Sequence, residues 1–254
     1  MGPGEGQAVE LLARLLELGR PGSTDRGRRL AASALQLASR FEVPHVFLHD
    51  LELAARLHEI GMLVEWPGRR DILASDPDVW RYTVASASIL REMQALVETA
   101  SLIHALRENW DGSGAPGHLQ RGQIPFRSRL LRVLIDFYDQ LNRAALAGQP
   151  MDASTAAERL ATHATTWYDP VVVSQLQAMV GGSPELAEPA TKVVLPVSEL
   201  HEGMVLAEDL CTSGGIKLLA RGTTVTSRAL ETILKRHEID PILAGAWVER
   251  SVRG

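Results

Sequence analysis

The chain has 254 residues, 45% hydrophobic and 22% charged, a composition that supports a buried core and argues against disorder. A formal net charge of -5 and a pI near 5.9 give no long-range attraction for nucleic acid or anionic lipid, so generic binding to either is not expected. A single cysteine, Cys211, excludes an intrachain disulfide, and no Cys/His spacing of a structural zinc site occurs. With no secretory leader and no apolar run approaching the roughly 18 residues of a spanning helix, a cytoplasmic setting without membrane contact is expected.

From about Val9 to Val180 the apolar residues recur at helical spacing. Leu30, Ala34, Leu37 and Phe41 form one such set, Leu53, Leu57 and Ile60 a second, and Leu130, Leu134, Phe137 and Leu141 a third. Short acceptor residues place helix starts at Asp25, Asp50 and Asp76-Pro77, while Pro116, Gly148-Gln149-Pro150 and Gly181-Gly182 punctuate the pattern. His45 and His49 follow or flank Pro44 and are expected on a surface loop before a helix. Near Ala190 the texture changes to short β runs: VVLPV, MVLA, IKLLA and RGTTV, with Gly214-Gly215 as a turn signal. An amphipathic helix over 227–237, with Leu230, Ile233 and Leu234 on one face, and a last strand at Gly245-Ala246-Trp247-Val248 complete this part. The expected fold is mainly α: a bundle of six to eight helices over 1–186, then a small β-rich α+β domain over 187–254.

Residues 108–116, ENWDGSGAP, form a tight reversal between helices, because Gly112 and Gly114 permit positive φ and Pro116 blocks helix continuation. Alone this is a common turn. Its company gives it weight: LAARLHEIGML at 53–63 upstream, then IPFRSRLLRVLIDFYDQL at 124–141 and WYDPVVVSQL at 167–176.

In that order the segments resemble the HD-GYP family, helical metal phosphodiesterases of the HD superfamily that linearise the bacterial messenger cyclic di-GMP. His58-Glu59-Ile60-Gly61-Met62 looks like the family's HDxGK-type motif. Leu106 to Pro116 looks like its HHExxDGxGYP loop, with Glu108, Asp111, Gly112, Gly114, Ala115 and Pro116 at the loop positions. Asp136 with Asp139-Gln140-Leu141 looks like the Asp helix, and Tyr168-Asp169-Pro170 like the closing F-D-P. The likeness covers about residues 20–180. The region beyond it resembles a small β-rich module attached to such domains in bacterial signalling proteins.

The resemblance implies a cluster of two or three metals that activates water for attack on phosphorus. The departures fall on its ligands. Arg26 stands at the first ligand histidine, on the apolar side of its helix; Glu59 replaces Asp, Tyr82 a histidine, and Leu106 and Arg107 the paired histidines. Met62 replaces the phosphate-contacting Lys, Ala115 the Tyr of GYP, and Ala144 to Ala147 an arginine-rich stretch. His58, Glu59 and Asp136 remain, too few for a di-metal cluster.

An expectation follows for the cavity. Unpaired buried carboxylates are costly, and a guanidinium matches their geometry, so Arg26 and Arg107 are expected to stand as cation substitutes opposite Glu59 and Asp136. Plainer roles stay open beside it. Asp136 suits a helix-surface ion pair with Arg132 or Arg129, and the family's Asp falls on Ile135 when counted from Ile124-Pro125. His58 suits a core histidine bonded to backbone, and Glu108 and Asp111 suit loop closure.

The expected function is that of a bacterial signalling protein with a catalytically degenerate HD-GYP-like domain, without cofactor, acting through a protein partner. One alternative is a divergent cyclic di-GMP phosphodiesterase using His58, Glu59 and Asp136 around one divalent metal such as iron or manganese. Another is a cyclic di-GMP receptor without turnover, with Arg26, Arg107 and Arg143 compensating for the lost basic contacts.

Overall fold

The third apolar repeat becomes the longest helix of the fold. A computed structural model describes residues 3–41, 43–66, 76–182, 192–195, 197–212, 216–240, 242 and 245–249. The chain divides into two compact units, Met1–Leu16 with Thr24–Pro189, and Glu17–Ser23 with Ala190–Gly254. The short segment Glu17–Ser23, which the apolar pattern leaves in the helical domain, thus belongs with the second unit.

Among the described residues the helical part runs α1 (Pro3–Gly19), α2 (Ser23–Ala38), α3 (Leu48–Leu57), α4 (Met62–Glu65), α5 (Arg81–Arg91), α6 (Val97–His104), α7 (Phe126–Leu146), α8 (Ala153–Ala161) and α9 (Pro170–Gly182). The fold is mainly α, and α4, a single turn, takes the number of segments past the expected eight. On α7, Leu130, Leu134, Phe137 and Leu141 recur at steps of four, three and four and are all buried. Each such side chain contributes roughly 1.5–3 kcal/mol when fully removed from water. They share one core with Leu30, Ala34 and Leu37 of α2, Leu53 and Leu57 of α3, and Val172 and Leu176 of α9.

Helix ends depart from the sequence signals by a few residues. α2 begins at Ser23 and α3 at Leu48, leaving Asp25 and Asp50 inside their first turns. Asp76 accepts from the Asp78 N–H and so closes a turn ahead of α5 instead of capping it. His49 lies in α3 and is half-buried, not on a loop, because the helix starts directly after the turn His45–Phe47. Gly148, at φ +68°, ends α7 where a side chain would be strained, whereas Gly181 and Gly182 remain within α9. No described helix is long and apolar enough to cross a membrane.

The second unit holds two antiparallel pairs. β1 (Lys192–Leu195) pairs with β4 (Ala246–Glu249), and β2 (Leu210–Cys211) with β3 (Lys217–Leu219). MVLA and RGTTV lie side by side, joined by the bridge Val205–Thr224 and by backbone hydrogen bonds from Leu206 to Thr223 and from Val225 to Met204, without forming full strands, while β2 carried too short a run to be expected. Gly203 and Gly222 adopt positive φ at their turns; Gly214-Gly215 lies outside the described residues. α10 (Ser227–Ile239) is capped by Thr226, whose hydroxyl accepts from the Ala229 N–H. It buries Ile233 and part of Leu230, but Leu234 is exposed, contrary to the expected three-residue face.

Candidate functional site

The segment HEIGM leaves the end of α3 and crosses α5 at van der Waals distance. A side chain on Gly61 would come within 2.2 Å of the Tyr82 carbonyl and 2.4 Å of the Ser86 nitrogen. Ser86 stitches the crossing: its hydroxyl donates to the His58 carbonyl at 2.7 Å and accepts from the Gly61 N–H at 2.8 Å. Glycine is therefore required here by close approach, and the approach sets Tyr82 beside the end of the HEIGM segment.

Tyr82 is fully buried, and its hydroxyl accepts from Arg107 Nε at 3.2 Å and from a terminal Arg107 nitrogen at 3.0 Å. The other terminal nitrogen of Arg107 donates to Asp136 Oδ1 at 2.8 Å. Arg132 Nε donates to Asp136 Oδ2 at 2.5 Å, and the Tyr168 hydroxyl donates to the same oxygen at 2.9 Å. Arg132 also reaches the Leu106 carbonyl at 3.2 Å, which ties α7 to the residues before the reversal. Side-chain exposures of 3% for Arg107, 6% for Arg132 and 2% for Asp136 mark a sealed network. Burial by itself would raise the Asp136 carboxyl, but the Arg132 and Arg107 guanidiniums outweigh it and hold the group down at about 2. Burial, and after it the Asp136 charge, push the Tyr168 hydroxyl up, so it stays a donor.

Several sequence expectations are thereby corrected or decided. The Arg132–Asp136 pair exists at i, i+4 as the spacing allows, but it is buried and not a surface pair. Arg129 pairs with Asp169 instead, at 2.5 Å. Asp136 faces the polar network, while Ile135 lines a separate cavity wall. Arg26 is not on the buried face of α2: its side chain is 35% exposed and pairs at 2.9 Å with Glu59, 16% exposed. Glu59 is accordingly a half-buried rim carboxylate. His58 is buried and its Nδ1 donates to the Ala55 carbonyl at 3.0 Å. Burial holds its imidazole below the ordinary value despite the opposing Glu59, so it is neutral at pH 7 with Nε2 as acceptor.

The reversal closes on itself. The buried Glu108 accepts from the Gly117 N–H at 2.5 Å and the Leu119 N–H at 2.9 Å. Asp111 accepts from the Ser113 N–H and hydroxyl at 2.9 and 2.7 Å. Gly112 sits at φ +88°, and a side chain on Gly114 would lie 2.1 Å from the Asn109 nitrogen. Ala115-Pro116 is cis. Leu106 is fully buried in the helical core. Asp169 accepts from the Val171 N–H at 2.9 Å and so caps α9 behind Pro170.

A cavity opens to solvent beside this network, between α2, the end of α3 and α7. Arg26, Arg29, His58, Glu59, Asp139 and Asn142 supply its polar wall. Asp139 is raised to about 6, first by burial and then by the neighbouring Asp136 charge. Arg143 Nε meets only the Asp139 backbone carbonyl. The sequence drew attention to Asp139 only as part of a motif, and to Arg132 and Tyr168 only as neighbours. The four-residue step from Arg132 to Asp136 was the signal available; Tyr168 was marked only as the first residue of the Tyr-Asp-Pro motif, and nothing local marks Arg29.

The donor set does not fit a metal cluster. Both Asp136 oxygens are taken by guanidinium and phenol donors, Glu59 faces Arg26, and Tyr82, Leu106 and Arg107 offer no imidazole. Among the described residues no group of three or more His, Cys, Asp or Glu side chains is placed to hold a metal ion.

A family model described as HD domain matches residues 10–172, and the chain belongs to the HD domain family. Among solved structures, a cyclic GMP-AMP-specific phosphodiesterase from V. cholerae superposes with a TM-score of 0.53 at 18% identity, over 70% of this chain and 49% of that one. An HDG"Y"P protein from Bdellovibrio bacteriovorus gives 0.51 at 16% identity, over 63% of this chain and 53% of that one. The chain spans about half the length of each, and the likeness is one of fold, in keeping with the HD-GYP resemblance. No curated protein sequence matches.

Proposed function

We infer that this chain is a bacterial signalling protein whose HD domain has exchanged metal-dependent hydrolysis for binding, with another protein as its partner. The observation that carries this is the state of Asp136. A carboxylate that accepts from two guanidiniums and a phenol, inside the fold, has three of its roughly four acceptor positions occupied by protein donors. The fixed charges of Arg107 and Arg132 do the electrostatic work that divalent ions do in the HD-GYP proteins this chain resembles.

Arg107 is central to the exchange. It replaces a neutral ligand with a permanent cation, and its stacking over the Tyr82 ring, 5.3 Å from the centroid, fixes the guanidinium plane. Water activation at neutral pH needs a metal or a general base beside the reacting phosphorus. His58 is neutral and lines a cavity whose cations are the guanidiniums of Arg26 and Arg29, the first already paired with Glu59.

The test is direct. Protein purified without added metal is analysed for iron, manganese and zinc, then incubated with cyclic di-GMP and with cyclic GMP-AMP in the presence of ferrous or manganous ion. Sub-stoichiometric metal and no linear product are expected. Stoichiometric metal or turnover of either dinucleotide would overturn the reading in favour of an active phosphodiesterase.

A further inference from the structure

The cavity beside Asp136 contains charges that the fold leaves without partners. Among the described residues the Asp139 carboxylate makes no hydrogen bond and no ion pair; only its backbone carbonyl is engaged. Arg29, on α2, lies 5.9 Å from the Tyr138 ring centroid and among the described residues forms no ion pair, although Asp139 lines the same cavity. Asn142, three residues beyond Asp139 on α7, has an amide with no hydrogen bond among the described residues. His58 is 8% exposed and lines the cavity; its Nδ1 is satisfied by Ala55, and among the described residues its Nε2 has no hydrogen-bond partner. The Tyr138 hydroxyl, by contrast, is matched with Ser33 at 2.6 Å.

Proteins seldom leave a half-buried carboxylate and a guanidinium in one cavity unpaired, because each loses hydration without gaining a partner. Such a cost is commonly retained where a ligand completes the site. The complement is readable from the wall. Asp139 and His58 Nε2 are two acceptors and call for a group with several N–H donors and positive charge. Arg29 is a planar donor fork and calls for a carboxylate or a similar oxyanion. Arg26 and Glu59 neutralise one another at the rim and leave the net demand unchanged.

We propose that this cavity binds a small zwitterion of the α-amino acid class, its ammonium on Asp139 and His58 Nε2 and its carboxylate on Arg29, with Asn142 as an auxiliary contact. The proposal rests on the reading that the pocket holds no metal cluster, and it adds a small-molecule input to a domain otherwise argued to bind protein.

Isothermal titration calorimetry of the full chain against the twenty standard amino acids, one at a time, tests it. At least one is expected to bind, and its N-acetyl and carboxamide derivatives are expected to bind at least 10-fold more weakly. Asp139→Asn and Arg29→Gln are each expected to weaken it at least 10-fold, while Glu10→Gln leaves it unchanged. The derivatives are measured on the unaltered protein, so a variant that misfolds does not remove the test. No binding at millimolar amino acid, binding that survives N-acetylation, or binding undiminished in both variants would overturn the proposal. Metal content of the same sample is measured separately: stoichiometric metal would sink the functional reading, whereas a metal-free protein that ignores every amino acid would sink only this inference.

Discussion

Asp136 and Asp139 lie three residues apart on the same helix and have opposite fates. Asp136 is sealed by Arg107, Arg132 and Tyr168 and is held ionised, down at about 2. Asp139, nearly one turn on, faces a cavity, has no side-chain partner among the described residues and is raised to about 6. One helix thus carries one carboxylate paired within the fold and one that lines a cavity. Burial and charge neighbours, not residue type, assign the two roles.

Removing the cation from the sealed side breaks that contrast most severely. Arg107→Ala leaves Asp136 with one guanidinium and strips Tyr82 of both donors, so a loss of about 3–5 kcal/mol is expected in chemical denaturation. A loss below about 1 kcal/mol would show that Arg132 and Tyr168 suffice and that Arg107 is not the substitute for a metal.

The open side should respond in the opposite direction. Because the folded-state value of Asp139 lies above its unfolded value of 3.8, its protonation favours the folded form. The gain is full below 3.8 and is lost as pH rises through about 6. Asp139→Asn is therefore expected to stabilise the protein at pH 7 by about 1–3 kcal/mol, with the difference from wild type shrinking toward zero near pH 4. Denaturation of both proteins at the two pH values checks this. Asp136 works the other way: its contribution is present above 3.8 and is lost only as pH falls through about 2.

The smallest effect belongs to the rim. Arg26→Ala removes a pair whose arginine is 35% exposed, and solvent screening limits the cost to about 0–1 kcal/mol. Thermal unfolding of this variant beside Arg107→Ala compares the two arginines that the sequence treats alike.

The apolar periodicity of α7 and the ordered motifs made the helical fold and the HD resemblance legible, because a stripe at 3.6-residue spacing encodes a buried face locally. The same logic named His58, Glu59, Asp136, Arg26 and Arg107. It did not distinguish them. Arg26 and Arg107 occupy comparable motif positions, yet one lies at a rim and the other in the core, and that depends on how α2, α5, α6 and α7 stack. Arg132 was legible as an i, i+4 partner of Asp136 and Tyr168 as part of the Tyr-Asp-Pro motif, but only their convergence on one buried carboxylate gives them their role.

The sequence by itself determined the helical core, the reversal at Asp111-Gly112 and which residue types stand at the positions where the HD-GYP resemblance implies metal ligands, since each of these is a property of residue type or of local spacing. Tertiary structure alone decided which carboxylate is paired, which arginine is buried and where a cavity remains. Those outcomes depend on desolvation and on distances between segments far apart in the chain, and a linear pattern carries neither.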